Sequence, residues 1–306
     1  MNFHILRETP PVWLGEALER FERQFDYPLG EGRRFRISHG RDYLPFFAAM
    51  GDATLTIAEA GGEVLATLVR VERWMHCGQD SPLRTRVHYL CDLKVSPRAR
   101  CSGVLAKLLW ETRRQVVLSG SQACYCIVMD GTGRRPSDYT GRCEIPAFTS
   151  LAQIMVLRIT SAPSANATPV PVAAPQNFRP RTAYFLEAGN HALRSLMTPV
   201  QITGTAWVED TRRGKRLWTD DGAEMLSAHL SGFRFSDPSS GAQIIRDALC
   251  AARASHLPAL FVAVPQSLGA ALLAEMPGLE ILEAPATIYG HGLEPGHDWW
   301  VDTAEI

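Results

Sequence analysis

At 306 residues the chain is long enough for two domains of about 150 residues, each able to bury a core without disulfide or metal staples. A composition of 46% hydrophobic and 21% charged residues excludes a disordered or low-complexity protein. The 31 basic and 32 acidic side chains nearly cancel, so no nucleic-acid partner is expected. The balance is uneven, with a net +4 over residues 1–160 and −5 over 161–306. Seven cysteines, an odd number with no Cys-x-x-Cys, sit partly inside apolar runs and predict reduced thiols in a cytoplasmic protein. The first residues, Met1 to Glu8, lack the pattern of a signal peptide, and no apolar run approaches the roughly 18 residues of a membrane span. No membrane partner is expected.

In chain order, apolar residues at Trp13, Leu14, Ala17, Leu18, Phe21 and Phe25 predict an amphipathic helix over 13–25. A short strand over 35–38 and a short helix over 42–50 follow. Gly61-Gly62 between two alternating runs predicts a hairpin of strands 54–60 and 63–74. Next come a strand over 87–95 ended by Ser96-Pro97, a helix over 103–118 and a continuous apolar run over 123–129, read as a buried strand. Residues 130–146 read as a polar, glycine-rich loop, and 150–159 as a strand. Four prolines among small residues make 161–176 an extended linker. Beyond it, strands are expected over 200–208 and 225–235, a helix over 240–254 opened by Ser236-Asp237-Pro238, then strand 259–264, helix 266–275 and strand 279–288. The organisation expected is thus domain 1–160, linker 161–176 and domain 177–306.

The segment from Tyr89 to Leu109 combines a strand, a turn containing Arg100 and Gly103, and an apolar-striped helix. A turn entering a helix N-terminus presents unpaired N–H groups and the positive end of the macrodipole, which suits phosphate. An ordinary strand-to-helix turn remains the alternative on these features. Leu93-Lys94-Val95-Ser96-Pro97 followed by Arg100-x-x-Gly103 resembles the acyl-CoA-binding motif of the GNAT N-acetyltransferases. The order of elements over residues 35–160 resembles that family too. Two positions depart from its pattern: Cys101 stands where many members have glycine, and Leu105 replaces a final Gly or Ala.

The resemblance implies an α/β, mixed-sheet GNAT-like acyltransferase fold with a second, smaller domain of related topology. It implies that Leu93 and Val95, with Lys94 between them, pair with the pantetheine arm. The amides of Cys101, Ser102, Gly103, Val104 and Leu105, with Arg100, would take the pyrophosphate. Acetyl-CoA or another acyl-CoA is the expected co-substrate, and an amine of a small molecule or peptide the acceptor. Asp92, a carboxylate in an apolar strand, is the first expectation for the base, His88 in the same strand the second, and Tyr139 the acid that protonates the leaving thiolate. Alternation puts Asp92 and Leu93 on opposite faces unless the strand bulges. A non-catalytic ligand- or partner-binding protein of the same fold is the rival reading.

No metal site is expected, since His and Cys are scattered. The run Arg212-Arg213-Gly214-Lys215-Arg216 reads as a solvated hairpin tip. Trp299-Trp300 reads as a docking patch, with the other domain or a second subunit of a homodimer both open. Limited proteolysis followed by mass spectrometry is expected to cut between Ser161 and Gln176 and leave two stable fragments. Protection of that stretch while other sites are cut would contradict the division.

Overall fold

The computed structural model describes residues 1–30, 32–76, 84–161, 186–193, 197–198, 201–202 and 204–306. The expected linker over 161–176 lies outside the described residues, apart from Ser161 at a strand end. The chain divides into two compact units that are interleaved in sequence. One takes Met1–Tyr27, Phe35–Ala152 and Thr287–His297; the other takes Pro28–Arg34, Gln153–Ala286 and Asp298–Ile306.

In the first unit, β1 (Asn2–Leu6) is followed by α1 (Val12–Glu22); β2 (Tyr27–Gly30) falls in the second unit from Pro28 on, and β3 (Arg33–Ser38) enters the first at Phe35, ahead of α2 (Leu44–Ala48). The hairpin β4 (Asp52–Ala60) and β5 (Glu63–His76) turns at Gly61-Gly62, both with positive φ, as a tight hairpin turn requires. Then come β6 (Arg84–Val95), α3 (Val104–Leu118), β7 (Cys124–Met129) and β8 (Thr149–Ser161), which belongs to the second unit from Gln153 on. The sheet runs β1-β4-β5-β6 antiparallel, and β7 joins β6 in parallel through the α3 crossover. The predicted helix stripes hold, with one correction. Trp13 is 48% exposed and rests edge-on against His4, because the buried line of α1 runs through Leu14, Leu18 and Phe21 and includes Glu22. A second correction concerns β7. Only its first residues, Cys124 and Tyr125, are buried; the rest are half-buried.

The second unit contains β9 (Leu186–Leu193), the two-residue pair β10 (Met197–Thr198) and β11 (Gln201–Ile202), then β12 (Gly204–Asp210), β13 (Arg216–Thr219) and β14 (Ser227–Phe235). After these come α4 (Pro238–Ala254), β15 (Ala259–Pro265), α5 (Gln266–Ala274) and β16 (Leu279–His291). Strands run in the order β9-β12-β14-β15-β8, with β14 and β15 parallel about the α4 crossover. Ile244, Ile245, Ala248 and Leu249 of α4 pack on Val208, Leu230, Leu260 and Val262. Two expectations change here. Lys215 is not solvated: its buried Nζ donates to the carbonyls of Ala304 and Ile306, both at 2.8 Å. Trp300 packs within its own unit, on Phe233 and Phe235, with the Arg234 guanidinium 4.9 Å over its ring.

The last residues of β16 belong to the first unit, where Gly290 lies against β7 and β8. A Cβ at position 290 would stand 2.7 Å from the Cys124 carbonyl oxygen and would overlap Leu151 Cδ1. Gly290→Ala is therefore expected to destabilise the protein by about 1–3 kcal/mol, the usual cost of overpacking. A lower urea midpoint at unchanged slope would show it; an unchanged midpoint would contradict this packing.

Candidate functional site

β6 is the strand from which the site is built. Its register with β5 steps from Thr67–Lys94 to Val69–Cys91, so Asp92 and Leu93 of β6 face the single Leu68 of β5, the mark of a β-bulge. Asp92 is the residue that absorbs it, with a left-handed φ of 53°, a conformation that Asp and Asn tolerate better than most residues. Its carbonyl accepts from Thr67 Oγ1 at 3.1 Å. The bulge sets the faces. Leu90, Leu93 and Val95 pack in the cluster under α3 with Val104, Leu108 and Leu109, while the Asp92 and Lys94 side chains point to α1 and α2. Asp92 and Leu93 therefore stay on opposite faces. Pairing with β7 is confined to His88–Cys124 and Tyr89–Tyr125, so the strands part before the bulge.

Beneath the bulge lies a buried charge network. The Lys94 ammonium donates to Glu22 Oε1 at 2.9 Å, to the Tyr43 hydroxyl at 3.2 Å and to Asp92 Oδ1. Tyr43 donates to Asp92 Oδ2. His39 gives its backbone N–H to Glu22 Oε2 and brings Nδ1 to Oε1, each at 2.8 Å. Burial alone would raise the Glu22 pKa, but Lys94 and His39 outweigh it and hold the carboxyl down at about 2. Burial would strip Lys94 of its proton, yet Asp92 and Glu22 keep it well above the usual lysine range. Burial, then Asp92 and Glu22, raise the Tyr43 phenol far above its ordinary value. Glu22, His39 and Asp92 present ligand-type atoms within 4.8 Å of one another, but the cation among these carboxylates is Lys94.

The turn after β6 is the one that the motif singles out. A short 3₁₀ turn, Pro97–Ala99, leads to Cys101 and Gly103, with φ of 67° and 75°, and α3 begins at Val104. Ser102 N–H donates to the Ala99 carbonyl at 3.2 Å, and the first helical bond runs from Lys107 N–H to Gly103. Among the described residues no acceptor is found for the N–H groups of Cys101, Gly103, Val104, Leu105 and Ala106, and no side chain caps the helix. Residues 100–103 are exposed, and open space surrounds the Gly103 Cα. Leu105 packs against the Ala58, Leu68 and Leu108 cluster, so this departure from the motif leaves the turn uncrowded. The corresponding helix of the second unit differs: Asp237 caps α4 by accepting from Ser240 N–H at 2.9 Å, placing a carboxylate where an anion would bind.

The other expected residues separate. Tyr139, after the 3₁₀ turn Pro136–Asp138, packs on the same cluster as Leu93 and Leu105, and burial pushes its phenol up. His88 is fully buried four residues before Asp92. Its Nδ1 lies 3.2 Å from Arg70 and its Nε2 2.8 Å from Ser119 Oγ, and burial, followed by Arg70, lowers its pKa. It ties β6 to the end of α3 and does not join the Asp92 group. Cys101 and Cys143 are exposed, whereas burial lifts the Cys124 and Cys126 thiols to about 12. Sequence reasoning missed Glu22, His39 and Tyr43. The one signal was an acid on the apolar line of α1, matched by a lysine two residues from Asp92 in an apolar strand.

No protein-family model matches the chain, and no curated protein matches it in sequence. Solved structures do. The chain is similar to Saccharomyces cerevisiae N-myristoyltransferase with bound myristoyl-CoA, at 9% identity and a TM-score of 0.55, over 96% of this chain and 84% of that one. A second structure of that enzyme, with myristoyl-CoA and inhibitors, matches at 8% identity and a TM-score of 0.58, over 96% and 81%. At such identities the likeness is one of fold. The chain has the mixed α/β, GNAT-like acyltransferase fold. No helix among the described residues is long and apolar enough to cross a membrane.

Glu22→Gln leaves Lys94 short of a partner in a buried site and is expected to cost about 3–5 kcal/mol. The pH dependence has a definite sign. Glu22 is held from 4.5 down to about 2, so its stabilisation is complete above pH 4.5 and is lost as pH falls toward 2. Urea titrations between pH 2 and 7 should show a flatter decline for the variant over that window. Parallel curves for the two proteins would contradict the network.

Proposed function

We propose that the chain is an acyl-CoA-dependent N-acyltransferase whose co-substrate binds in the first unit. The observation that carries this reading is the turn over residues 100–106. It presents five N–H groups without acceptors, two left-handed residues and no side-chain cap, at the positive end of a 15-residue helix. The amides of Cys101, Gly103, Val104 and Leu105, with the Arg100 guanidinium, take the pyrophosphate. The pantetheine arm follows the backbone of Leu93 and Val95 where β6 leaves β7. That N-myristoyltransferase structures of this fold hold myristoyl-CoA supports an acyl-CoA ligand without fixing the acyl chain. An acetyl group, the expectation from the motif, remains part of the proposal.

In the reaction the acceptor amine attacks the thioester carbonyl, the C–N bond forms and the C–S bond breaks. The leaving thiolate takes a proton from Tyr139, whose buried phenol starts protonated, and the proton lost by the attacking nitrogen passes to solvent water, from which the phenol is reprotonated. Asp92 was the first expectation for the base. Its carboxylate already holds Lys94 and Tyr43 on the face away from Leu93, and in this reading it positions the bulge. The same tie favours the second reading, a binding protein of this fold without transferase activity. The acceptor amine belongs to a small molecule or a peptide, in the cytoplasm.

Ser102→Glu and Gly103→Glu each place a carboxylate in the turn. At Gly103 the left-handed φ adds strain of about 1–2 kcal/mol; Ser102 has no such conformation, so it keeps the test clean if the glycine variant folds poorly. Calorimetry with CoA and acetyl-CoA is expected to show no binding by either. Arg100→Ala should bind more weakly by about 1.5–3 kcal/mol. Equal binding by wild type and folded Ser102→Glu would place the site elsewhere. Binding without acyl transfer to any amine in a mixed acceptor panel would favour the second reading.

A further inference from the structure

The outer face of α3 carries a stripe that the site above does not use. At 3.6 residues per turn, Gly103, Lys107, Trp110, Arg114 and Val117 fall within about 40° of one line along the helix. The side chains of Lys107, Trp110, Arg114 and Val117 are exposed, the indole at 48%. The buried face of the helix is carried by Val104, Leu108, Leu109, Thr112 and Val116, so Trp110 contributes nothing to the core. The Lys107 ammonium has no ion pair among the described residues, while Arg114 shares Glu111 at 2.9 Å. No acidic residue lies on the line, and it starts at the turn with open amides.

We infer that this stripe holds the 3′-phosphoadenosine end of the acyl-CoA, with adenine stacked on Trp110 and the 3′-phosphate on Lys107. The inference rests on the reading of residues 100–106 as the pyrophosphate turn. Lys107 stands about 6 Å and Trp110 about 10 Å along the helix from Gly103, on the side where a nucleotide tethered to that turn extends. An exposed aromatic face stacks any base, and an unpaired ammonium beside it selects a phosphate. The same stripe ends in exposed Val117, next to Leu118 at 80% exposure, which with the basic residues is also the composition of a helix lying on an anionic membrane. The nucleotide fits better, because Arg114 interrupts the apolar line that a membrane-facing helix would keep continuous.

Calorimetry on the full chain with CoA and 3′-dephospho-CoA tests this for the wild type, Lys107→Ala and Trp110→Ala, all surface changes. The wild type should bind CoA at least tenfold more tightly than dephospho-CoA. Lys107→Ala should bind the two alike. Trp110→Ala should weaken both to the same extent, by about 5- to 100-fold. If both variants bind both ligands as the wild type does, the adenosine end lies elsewhere and the pyrophosphate turn stands. If the wild type binds neither, both readings fall. If the ligand-free chain sediments with phosphatidylserine vesicles, and Trp110→Ala releases it without changing CoA affinity, the stripe is a membrane contact and the inference is overturned.

Discussion

A lysine ammonium buried between two carboxylates is the constraint on which the first unit depends. Lys94 stands in β6, Glu22 in α1 and Tyr43 just before α2, so one cation ties two helices to the strand that carries the bulge. Such a group is costly to bury, and it persists only because Asp92, Glu22 and Tyr43 together replace its water. The consequence is geometric. Asp92 holds Lys94 from a left-handed backbone conformation, and Leu90 and Leu93 stay together on the α3 face. The group keeps the Asp92 and Lys94 side chains on the α1 and α2 side of the bulged strand.

The two crossovers show what the bulged strand and its turn contribute. β6–α3–β7 and β14–α4–β15 are both parallel strand pairs joined by a helix. Their helix starts carry opposite chemistry. α3 begins at a glycine with no side-chain cap; α4 begins at Asp237, whose carboxylate occupies the amides of its own helix. Capping favours helix stability, and it also fills the one position where a helix could hold a foreign anion. The uncapped start of α3 gives up that stabilisation and leaves the amides open.

Much of this was legible in the sequence, and the limits have physical causes. The hairpin at Gly61-Gly62, the helix starting after Gly103 and the capped start at Asp237 follow from local rules of φ, hydrogen bonding and apolar spacing. So does the α3 stripe, since Leu105 sits on the edge of the apolar arc and packs inward. Alternation puts Asp92 and Leu93 on opposite faces, and the bulge keeps them there while bringing Leu90 onto the face of Leu93. Glu22, His39 and Tyr43 were not legible as a group, because their separations of 17 and 4 residues carry no periodic signal and they meet only when α1 and α2 pack. The return of residues 287–297 to the first unit was equally hidden, since nothing local tells a strand which sheet it will join.

The proposed site asks little of side chains, which is compatible with a fold likeness at 8–9% identity. The proposed ligand groups are main-chain amides at residues 101–106 and main-chain edges at 93–95, and those constrain dihedral angles more than side chains. A cysteine with φ of 67° then serves where the motif has glycine, at the cost of backbone strain and not of a lost donor. Leucine at 105 is tolerated for the same reason, since its amide faces the turn while its side chain packs on Ala58 and Leu68. What such a site does require of the sequence is a small set of permissive positions: a residue able to bulge at 92, left-handed residues at 101 and 103, and no acid on the first turn of the helix. The chain meets each of them: Asp92, Cys101 and Gly103 have positive φ, and the first turn of α3 carries no acid.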